Sequence, residues 1–283
     1  MQAPPASPRC QICGGQSAQE YRAREMMYGL REEFRYFQCA ECGCVQIREF
    51  PDDMARFYAG YGSYDEQYFP TGLRLAAWAA RNRYTFTGRG LLGRLLSRVN
   101  PYHTPGAARW LAGRGLGLDA RIMDVGSGSG GLLLALRAAG YHSLLGVDPF
   151  LPKDIHYPNG VVVLRRRMQE VEGEFDVIMF HHVLEHVPDQ LDTMRAVAER
   201  LAPGGFCLVR IPMASSEAWE KYRENWVQLD PPRHFFMHTE KSIRLLAEQA
   251  GLRVASVEYD STAFQFEASE LYLRDVPLND QAG

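Results

Sequence analysis

Two acidic residues and a run of glycines mark the part of this chain best suited to bind a small charged ligand. Residues 121–131 form an apolar run, the acid Asp124 and a glycine-rich turn, and a second apolar run, 144–147, ends at Asp148. Glycine leaves no Cβ between the backbone and a ligand. An acid at the end of the second strand can accept hydrogen bonds from both ribose hydroxyls. The pattern therefore predicts a βαβ unit that binds an adenosine-containing ligand.

Asp124, the acid that precedes the glycines, helps to distinguish between two adenosine-containing ligands. Gly126, Gly128 and Gly131 also satisfy the dinucleotide fingerprint, so NAD stays open as an alternative. Asp124 favours S-adenosylmethionine (SAM), because a carboxylate at the end of the first strand can bind a cationic amino group. The same carboxylate would repel a pyrophosphate.

Four cysteines are spaced as metal ligands. Cys10 and Cys13 form one C-x-x-C pair, and Cys39 and Cys42 form a second pair, with 25 residues between the two pairs. Two such turns facing each other build the tetrahedral S₄ site that zinc prefers. A closed Cys₄ site has no open coordination position, so we expect a structural zinc ion. Cys44 is a spare thiol, close enough to replace Cys42.

Histidines provide the candidates for acid–base chemistry. Imidazole titrates near neutrality, so it can accept a proton from a hydroxyl acceptor. We expect the general base to be His182 or His186, with His234 and His238 orienting the acceptor. Residues 182–186 also match H-x-x-E-H, the inverted zinc-protease pattern. That pattern needs a long helix, whereas Pro188 interrupts this segment at once, so we do not adopt it.

Arg233 stands in the turn Leu229-Asp230-Pro231-Pro232-Arg233-His234. Two prolines make this turn rigid, and an exposed Arg-His pair after it would suit an anionic or polyhydroxylated substrate. Alternatively, an arginine salt bridge holds the loop in place.

The elements that must position these residues follow from apolar spacing. The predicted fold class is α/β, a doubly wound, seven-stranded, Rossmann-like sheet with an N-terminal zinc ribbon and a helical cap. We expect a helix from 239 or 240 to about 251, and strands at 252–259 and 263–266 that complete the sheet. The predicted domains are a disordered start (1–9), the ribbon (10–50), the cap (51–118) and the ligand-binding domain (119–283), with a substrate-side insertion at 213–238.

Aromatic residues recur with helical spacing in the predicted cap. Packing in a core is the more frequent role of such a stripe, and a ligand platform is the alternative. The insertion carries three more aromatic residues, which either pack or form a lid. The residues of the two sets are Tyr58, Tyr61, Tyr64, Tyr68, Phe69 and Trp78, and Trp219, Tyr222 and Trp226.

The glycine-rich turn, the segment 175–187 and Leu201-Ala202-Pro203-Gly204-Gly205 occur in an order that resembles the class I SAM-dependent methyltransferases. The resemblance implies SAM as cofactor and a methyl-transfer site after the fourth strand. The chain differs from the family pattern at Arg165-Arg166-Arg167, which lie beside the position where the family contacts adenine. It assigns cofactor contacts to these residues: Asp124, Gly126, Ser127, Gly128, Asp148, Pro149, Met168 and His181.

The cysteine module resembles the N-terminus of a methyltransferase subgroup that acts on sugars and small bacterial metabolites. We therefore expect methylation of a small-molecule or glycan acceptor, at oxygen. The alternatives are a zinc-ribbon RNA methyltransferase, a ubiquinone-type phenol O-methyltransferase and a non-catalytic zinc-ribbon scaffold. The net charge of −3 over 283 residues counts against nucleic acid as a substrate. No apolar stretch approaches the ~20 residues of a membrane span, and residues 1–9 do not form a signal peptide, so we expect a cytoplasmic protein.

Overall fold

A computed structural model describes residues 8–58, 71–99, 110–111 and 114–279 of the chain. These residues form two compact units. The sheet unit comprises the described residues of Gly60–His181 and Glu199–Val209, and the ribbon unit comprises those of Met1–Ala59, His182–Ala198 and Arg210–Gly283. The cysteine segment thus shares one unit with the C-terminal part of the chain. The predicted disorder of residues 1–9 is wrong for Pro8 and Arg9, because Arg9 forms a β-bridge with Gln16 and the Pro8 carbonyl accepts a hydrogen bond from the Ser17 N–H. Residues 1–7 and the predicted stripe residues Tyr61, Tyr64, Tyr68 and Phe69 lie outside the described residues.

The sheet unit contains a six-stranded sheet with the order β6-β7-β5-β4-β8-β9. The central strand β4 pairs in parallel with β5 and with β8, and β5 pairs in parallel with β7, as the buried apolar runs predict. Because β5 and β8 flank β4 on opposite sides, the strand order reverses there, and α/β folds bind ligands at such a point. The strands are β4 Arg121–Val125, β5 Ser143–Val147, β6 Ile155–His156, β7 Val162–Leu164, β8 Phe175–His181 and β9 Leu201–Arg210.

Three helices of the sheet unit lie wholly within the described residues: α1 (Gly72–Thr87), α2 (Leu91–Val99) and α3 (Gly131–Ala139). α3 buries five residues, and α1 contributes Phe86 to the same apolar core. Trp78 also packs against this core, so this member of the aromatic stripe has a packing role. Between β5 and β7 the chain forms the short strand β6 and no α-helix, because three prolines interrupt residues 149–160.

The ribbon unit is built on a four-stranded sheet, β1-β2-β3-β10. β1 (Ser17–Arg24), β2 (Glu33–Cys39) and β3 (Val45–Ile47) are consecutive antiparallel neighbours. β10 (Phe236–Met237) comes from almost 200 residues further along and pairs with β3. The sequence predicts the hairpin strand at 33–38 but gives no sign of this long-range partner.

Four further helices are α4 (Gln190–Arg200), α5 (Glu217–Tyr222), α6 (Glu240–Gln249) and α7 (Phe264–Leu273). α6 lies where the sequence predicts it, because the Thr239 side chain accepts a hydrogen bond from the Ser242 N–H as an N-cap. α5 lies in the insertion, where Trp219, Tyr222 and Trp226 are buried. Packing is therefore the role of all three aromatic residues.

The prediction of a seven-stranded sheet is wrong for the described residues, which contain six strands in this sheet. Residues 252–262 form no strand, because their alternating pattern finds no hydrogen-bonded neighbouring strand. The expected strand at 263–266 is the start of α7. Its buried residues, Gln265, Ala268, Ser269 and Tyr272, recur at the helical spacing of three and four.

Candidate functional site

The glycine-rich turn follows β4 directly and leads into α3. Gly126 has a φ of 66°, a left-handed conformation that glycine adopts without a steric penalty. Its N–H donates to the Val147 carbonyl (2.8 Å), which ties the turn to the end of β5. A Cβ at Gly146 would lie 2.6 Å from Ser127 Oγ, so the turn and β5 approach each other too closely for a larger residue.

Asp148 stabilises this turn through its carboxylate. One oxygen accepts a hydrogen bond from the Gly128 N–H (3.0 Å), and the other accepts one from the Phe150 N–H (2.9 Å). A carboxylate oxygen has two lone pairs, so each oxygen can still accept a bond from a ribose hydroxyl. Burial raises the pKa of Asp148, and both N–H groups oppose that rise. Asp148 thus fixes the ligand loop as well as offering a ligand contact.

Asp124, the second acid at the turn, is buried, and its carboxylate accepts no hydrogen bond from any described residue. Burial, together with the negative charge of Asp148, raises the pKa of Asp124 to about 8. A buried carboxyl group without a partner is costly to ionise unless a cation approaches it. The turn therefore presents a position that favours a cationic group over an anionic one.

The other predicted cofactor residues lie at the ends of neighbouring strands. Pro149 follows Asp148 and is half-buried, Met168 is buried in a short 3₁₀ turn, and His181 is the last residue of β8. The arginines 165–167 are exposed just beyond β7, as expected of a solvated strand end.

The four predicted zinc ligands converge. Their sulfur atoms all lie within 4.8 Å of one another, with 3.6 Å between Cys10 and Cys42 and 3.5 Å between Cys13 and Cys39. These separations exceed the disulfide length of about 2.05 Å and approach the ~3.8 Å edge of a tetrahedron with Zn–S bonds of about 2.3 Å. The donor set and its geometry fit a zinc ion.

Backbone and side-chain donors surround these sulfurs. The Ile12 N–H lies 3.4 Å from Cys10 Sγ, and the Gln46 amide donates to the same sulfur at 2.8 Å. Such donors favour the thiolate form that metals bind. Cys44 is buried but is not part of the cluster, and its thiol donates to the Val45 carbonyl. The second pair therefore uses Cys42.

The predicted catalytic histidines lie in the ribbon unit, where they differ in their hydrogen bonds. His186 Nδ1 donates to the Arg233 carbonyl (2.8 Å) and lies 3.1 Å from the Tyr58 hydroxyl. Because Nδ1 carries the proton, Nε2 is the basic nitrogen. Burial lowers the pKa of His186 to about 4, and His234 adds to this effect, so the ring is neutral at pH 7.

His182 and His234 have their own partners. His182 Nε2 accepts a hydrogen bond from the Arg210 guanidinium (2.5 Å), and Asp260 binds that arginine (2.7 Å). The backbone of His182 is in the left-handed conformation, with a φ of 54°, which is uncommon in residues other than glycine. His234 Nδ1 donates to the Gln228 carbonyl (2.7 Å), which leaves its Nε2 basic as well.

Glu185 is the residue of this region whose importance the sequence does not reveal. It is fully buried, and one of its carboxylate oxygens lies 3.4 Å from His182 Nδ1. Its ligand oxygen and the ring nitrogens of His186 and His234 lie within 4.8 Å of one another. Two imidazoles and a carboxylate are the donors that divalent transition metals accept. The H-x-x-E-H pattern contains both Glu185 and His186, but they lie in a single 3₁₀ turn, Leu184–His186, and not in a protease helix.

Arg233 is not the exposed residue that the sequence predicts. It is fully buried, and its guanidinium binds Asp230 (2.9 Å from Nε) and Glu25 (2.7 Å) and donates to the Phe57 carbonyl (3.0 Å). The partners at 25 and 57 lie so far along the chain that local sequence could not reveal them. The prediction of exposure is wrong, and the alternative of an arginine that anchors its loop describes this geometry.

The comparisons with known proteins identify the family of this chain. Residues 77–257 match the family model for a methyltransferase domain, so the chain belongs to this family and carries a SAM-dependent methyltransferase domain. The matched region begins inside α1, within the predicted cap.

Several curated relatives are ubiquinone biosynthesis O-methyltransferases. The protein from Pseudomonas aeruginosa (strain LESB58) is 31% identical over 122 residues, 38% of this chain and 52% of that protein. The protein from Xanthomonas campestris pv. campestris (strain B100) is 38% identical over 96 residues, 30% of this chain and 40% of that protein. The chain thus spans about half the length of the curated relatives it matches.

Among solved structures, magnesium protoporphyrin IX methyltransferase from Synechocystis PCC 6803 is 15% identical, with a TM-score of 0.44 over 75% of this chain and 90% of that chain. No helix within the described residues has the length and apolar character needed to cross a membrane.

Proposed function

We propose that this protein transfers the methyl group of SAM to an oxygen atom of a small-molecule acceptor. The observation that carries the proposal is the buried, unpartnered Asp124 beside a glycine turn that Asp148 holds in place. Asp124 would bind the amino group of SAM, and Asp148 the ribose hydroxyls. A dinucleotide fits less well, because its pyrophosphate would face a buried acid.

SAM supplies an electrophilic methyl group, so the protein's task is to position the acceptor and take up its proton. We propose His186 as the general base, because its Nε2 is unprotonated and makes no hydrogen bond to a described residue. His182 is less suited, since its Nε2 already accepts a bond from Arg210. His234 would orient the acceptor.

For the acceptor, two classes of hydroxyl compete. The likeness to ubiquinone biosynthesis O-methyltransferases favours a phenolic hydroxyl, while the likeness of the cysteine module to sugar-modifying methyltransferases favours a sugar or glycan hydroxyl. The net charge of −3 does not favour RNA as the acceptor. We propose a cytoplasmic location, as the composition suggests.

We also propose that Cys10, Cys13, Cys39 and Cys42 hold one structural zinc ion. The sulfur separations support this, and a site with four thiolates leaves no open position for a substrate. The ion would stabilise the fold of the ribbon unit.

The test of the function is mass spectrometry of acceptors incubated with SAM that carries a labelled methyl group. Phenolic metabolites and nucleotide sugars form the two arms of the panel. Label on an acceptor oxygen supports the proposal, and the arm that is labelled identifies the class. Failure to bind SAM, or tighter binding of NAD than of SAM, would exclude it.

The test of the base uses the acceptor found in that panel. His186→Ala should lower kcat by about 10²–10⁴ with unchanged SAM affinity, since a positioned base typically contributes that much. His156→Ala, at an exposed histidine of the sheet unit, is the matched control. If His186→Ala and His182→Ala both keep near-parent turnover, positioning alone drives the transfer and the assignment of a base is wrong.

A further inference from the structure

The helix α2 exposes a continuous apolar face. Four large apolar side chains on it are between 58% and 86% exposed, which is unusual for side chains of this size on one short helix. In an α-helix successive residues are about 100° apart, so these four fall within one arc of about 100°. They are Leu91 (86%), Leu92 (58%), Leu95 (60%) and Val99 (78%).

The opposite face of α2 is fixed against α1. Gly93 is buried there, and a Cβ on Gly93 would lie 2.1 Å from the Ala80 carbonyl oxygen. Only glycine permits this approach of the two helices, so the rotation of α2 about its axis is set. Gly93 lies about 150° around the helix from the centre of the apolar arc. The apolar face therefore points away from α1.

Charge is distributed unevenly around this helix. Residues 71–118 contain eight arginines and no lysine, aspartate or glutamate, although the whole chain has a net charge of −3. Arg94 and Arg98 follow one edge of the apolar face, and Arg89 precedes the helix. All three are exposed, and none forms an ion pair with another residue that the structure describes.

We propose that α2 docks on the surface of a membrane that contains anionic phospholipids, with its leucine face in the acyl region and its arginines at the phosphates. A helix with one apolar face and flanking arginines binds in this way, since burial of apolar area and attraction to anionic lipid add. Arginine can extend its charged group to the headgroups while its stem covers apolar surface. Docking of this kind needs no membrane-spanning helix.

Other occupants fit these residues less well. A nucleic acid would neutralise the arginines but would gain nothing from three exposed leucines. A second copy of the chain would cover the leucines but would bring the two arginine edges close together. Membrane docking goes beyond the proposed function, because methyl transfer requires neither the apolar face of α2 nor its flanking arginines.

The experiment is flotation of the full-length protein with vesicles of phosphatidylglycerol and phosphatidylcholine, compared with vesicles of phosphatidylcholine alone. We expect binding to the anionic vesicles only, and weaker binding at high salt. Arg94→Gln/Arg98→Gln should lower the vesicle partition coefficient about 30-fold, at roughly fivefold for each arginine. Leu91→Ser/Leu95→Ser should lower it at least as much. Leu273→Ser, at an exposed leucine of the ribbon unit, is the matched control and should bind like the parent.

Three results would overturn the proposal. The first is no binding of the parent to anionic vesicles. The second is parent-like binding by the leucine variant. It would mean that the arginines alone bind the vesicles, as they would bind any polyanion, RNA included. The third is a parent dimer in light scattering that the leucine variant abolishes, which would make the face a contact between copies. Circular dichroism of each surface variant establishes that it is folded, and SAM binding reports separately on the ligand turn.

Discussion

SAM binding should be coupled to ionisation of Asp124. Burial beside Asp148 raises the pKa of this carboxyl to about 8, so at pH 7 only about one chain in ten carries the carboxylate. The amino cation of SAM interacts with the charged form. Binding should therefore release about 0.8 proton per SAM at pH 7, and affinity should rise about 25-fold between pH 6 and pH 8, because the amino group of SAM is itself half deprotonated at pH 8.

The sign follows from the raised pKa. A carboxyl group whose pKa is raised by folding destabilises the folded state as the pH rises through that pKa, and a bound cation removes this cost. The pH range is bounded on the alkaline side, because an α-amino group loses its own proton near pH 8. Measurements should therefore cover pH 6 to 8.

Isothermal titration calorimetry in two buffers with different ionisation enthalpies gives both the affinity and the proton release. Asp124→Asn preserves the shape of the side chain but cannot ionise, so its SAM affinity should not rise between pH 6 and pH 8, and should fall about twofold as the amino group of SAM loses its proton. It should also bind more weakly at pH 8, by about 10- to 100-fold, since bonds to a charged group are worth about 1.5–3 kcal/mol. An equal pH dependence in the parent and in Asp124→Asn would refute the reasoning.

Three further predictions concern stability and metal content. Metal analysis should give one zinc per chain for the parent and for Cys44→Ser, and none for Cys39→Ser. The ribbon unit of Cys39→Ser should unfold at a lower denaturant concentration than that of the parent. Two disulfides and no zinc in the parent would contradict this prediction. Burial lowers the pKa of His238 to about 4, so the folded state resists its protonation, and stability should fall by up to about 3 kcal/mol as the pH drops from 6.5 to 4. Urea unfolding should show this fall in the parent, and it should be smaller in His238→Asn; equal slopes would argue against it. Arg233→Met leaves two buried carboxylates without their cation, and should cost about 3–5 kcal/mol in the same assay, whereas a cost below 1 kcal/mol would mean that the ion pairs add little.

The parts of the fold that the sequence predicts depend on residues close together in the chain. The glycine turn, the C-x-x-C pairs and the start of α6 at Thr239 each need only a few neighbouring residues of the right type. For the same reason the turn around Asp124 can be recognised from the sequence alone. Its pairing with Asp148 follows from the regular length of a βαβ unit.

The features that sequence reasoning misses depend on contacts across long stretches of chain. Arg233 is buried because Glu25, 208 residues away, and Asp230 neutralise it. β10 is a strand because β3 pairs with it, and its own two residues carry no strand signal. Glu185 stands within a recognised pattern, but only the folded chain brings His234 to it. Residues 263–266 resemble a strand because four residues are too few to separate the two periodicities.

The long-range pairing of β10 sets an order of assembly during synthesis. β1, β2, β3 and all four cluster cysteines lie within the first 50 residues, so they can fold as soon as they leave the ribosome. The fourth strand is made almost 200 residues later, and so is Thr239, whose hydroxyl donates to the Cys42 carbonyl (2.5 Å). Closing so long a segment is entropically costly and slow. A zinc ion bound early would stabilise β3, whose edge stays unpaired while the methyltransferase domain is translated.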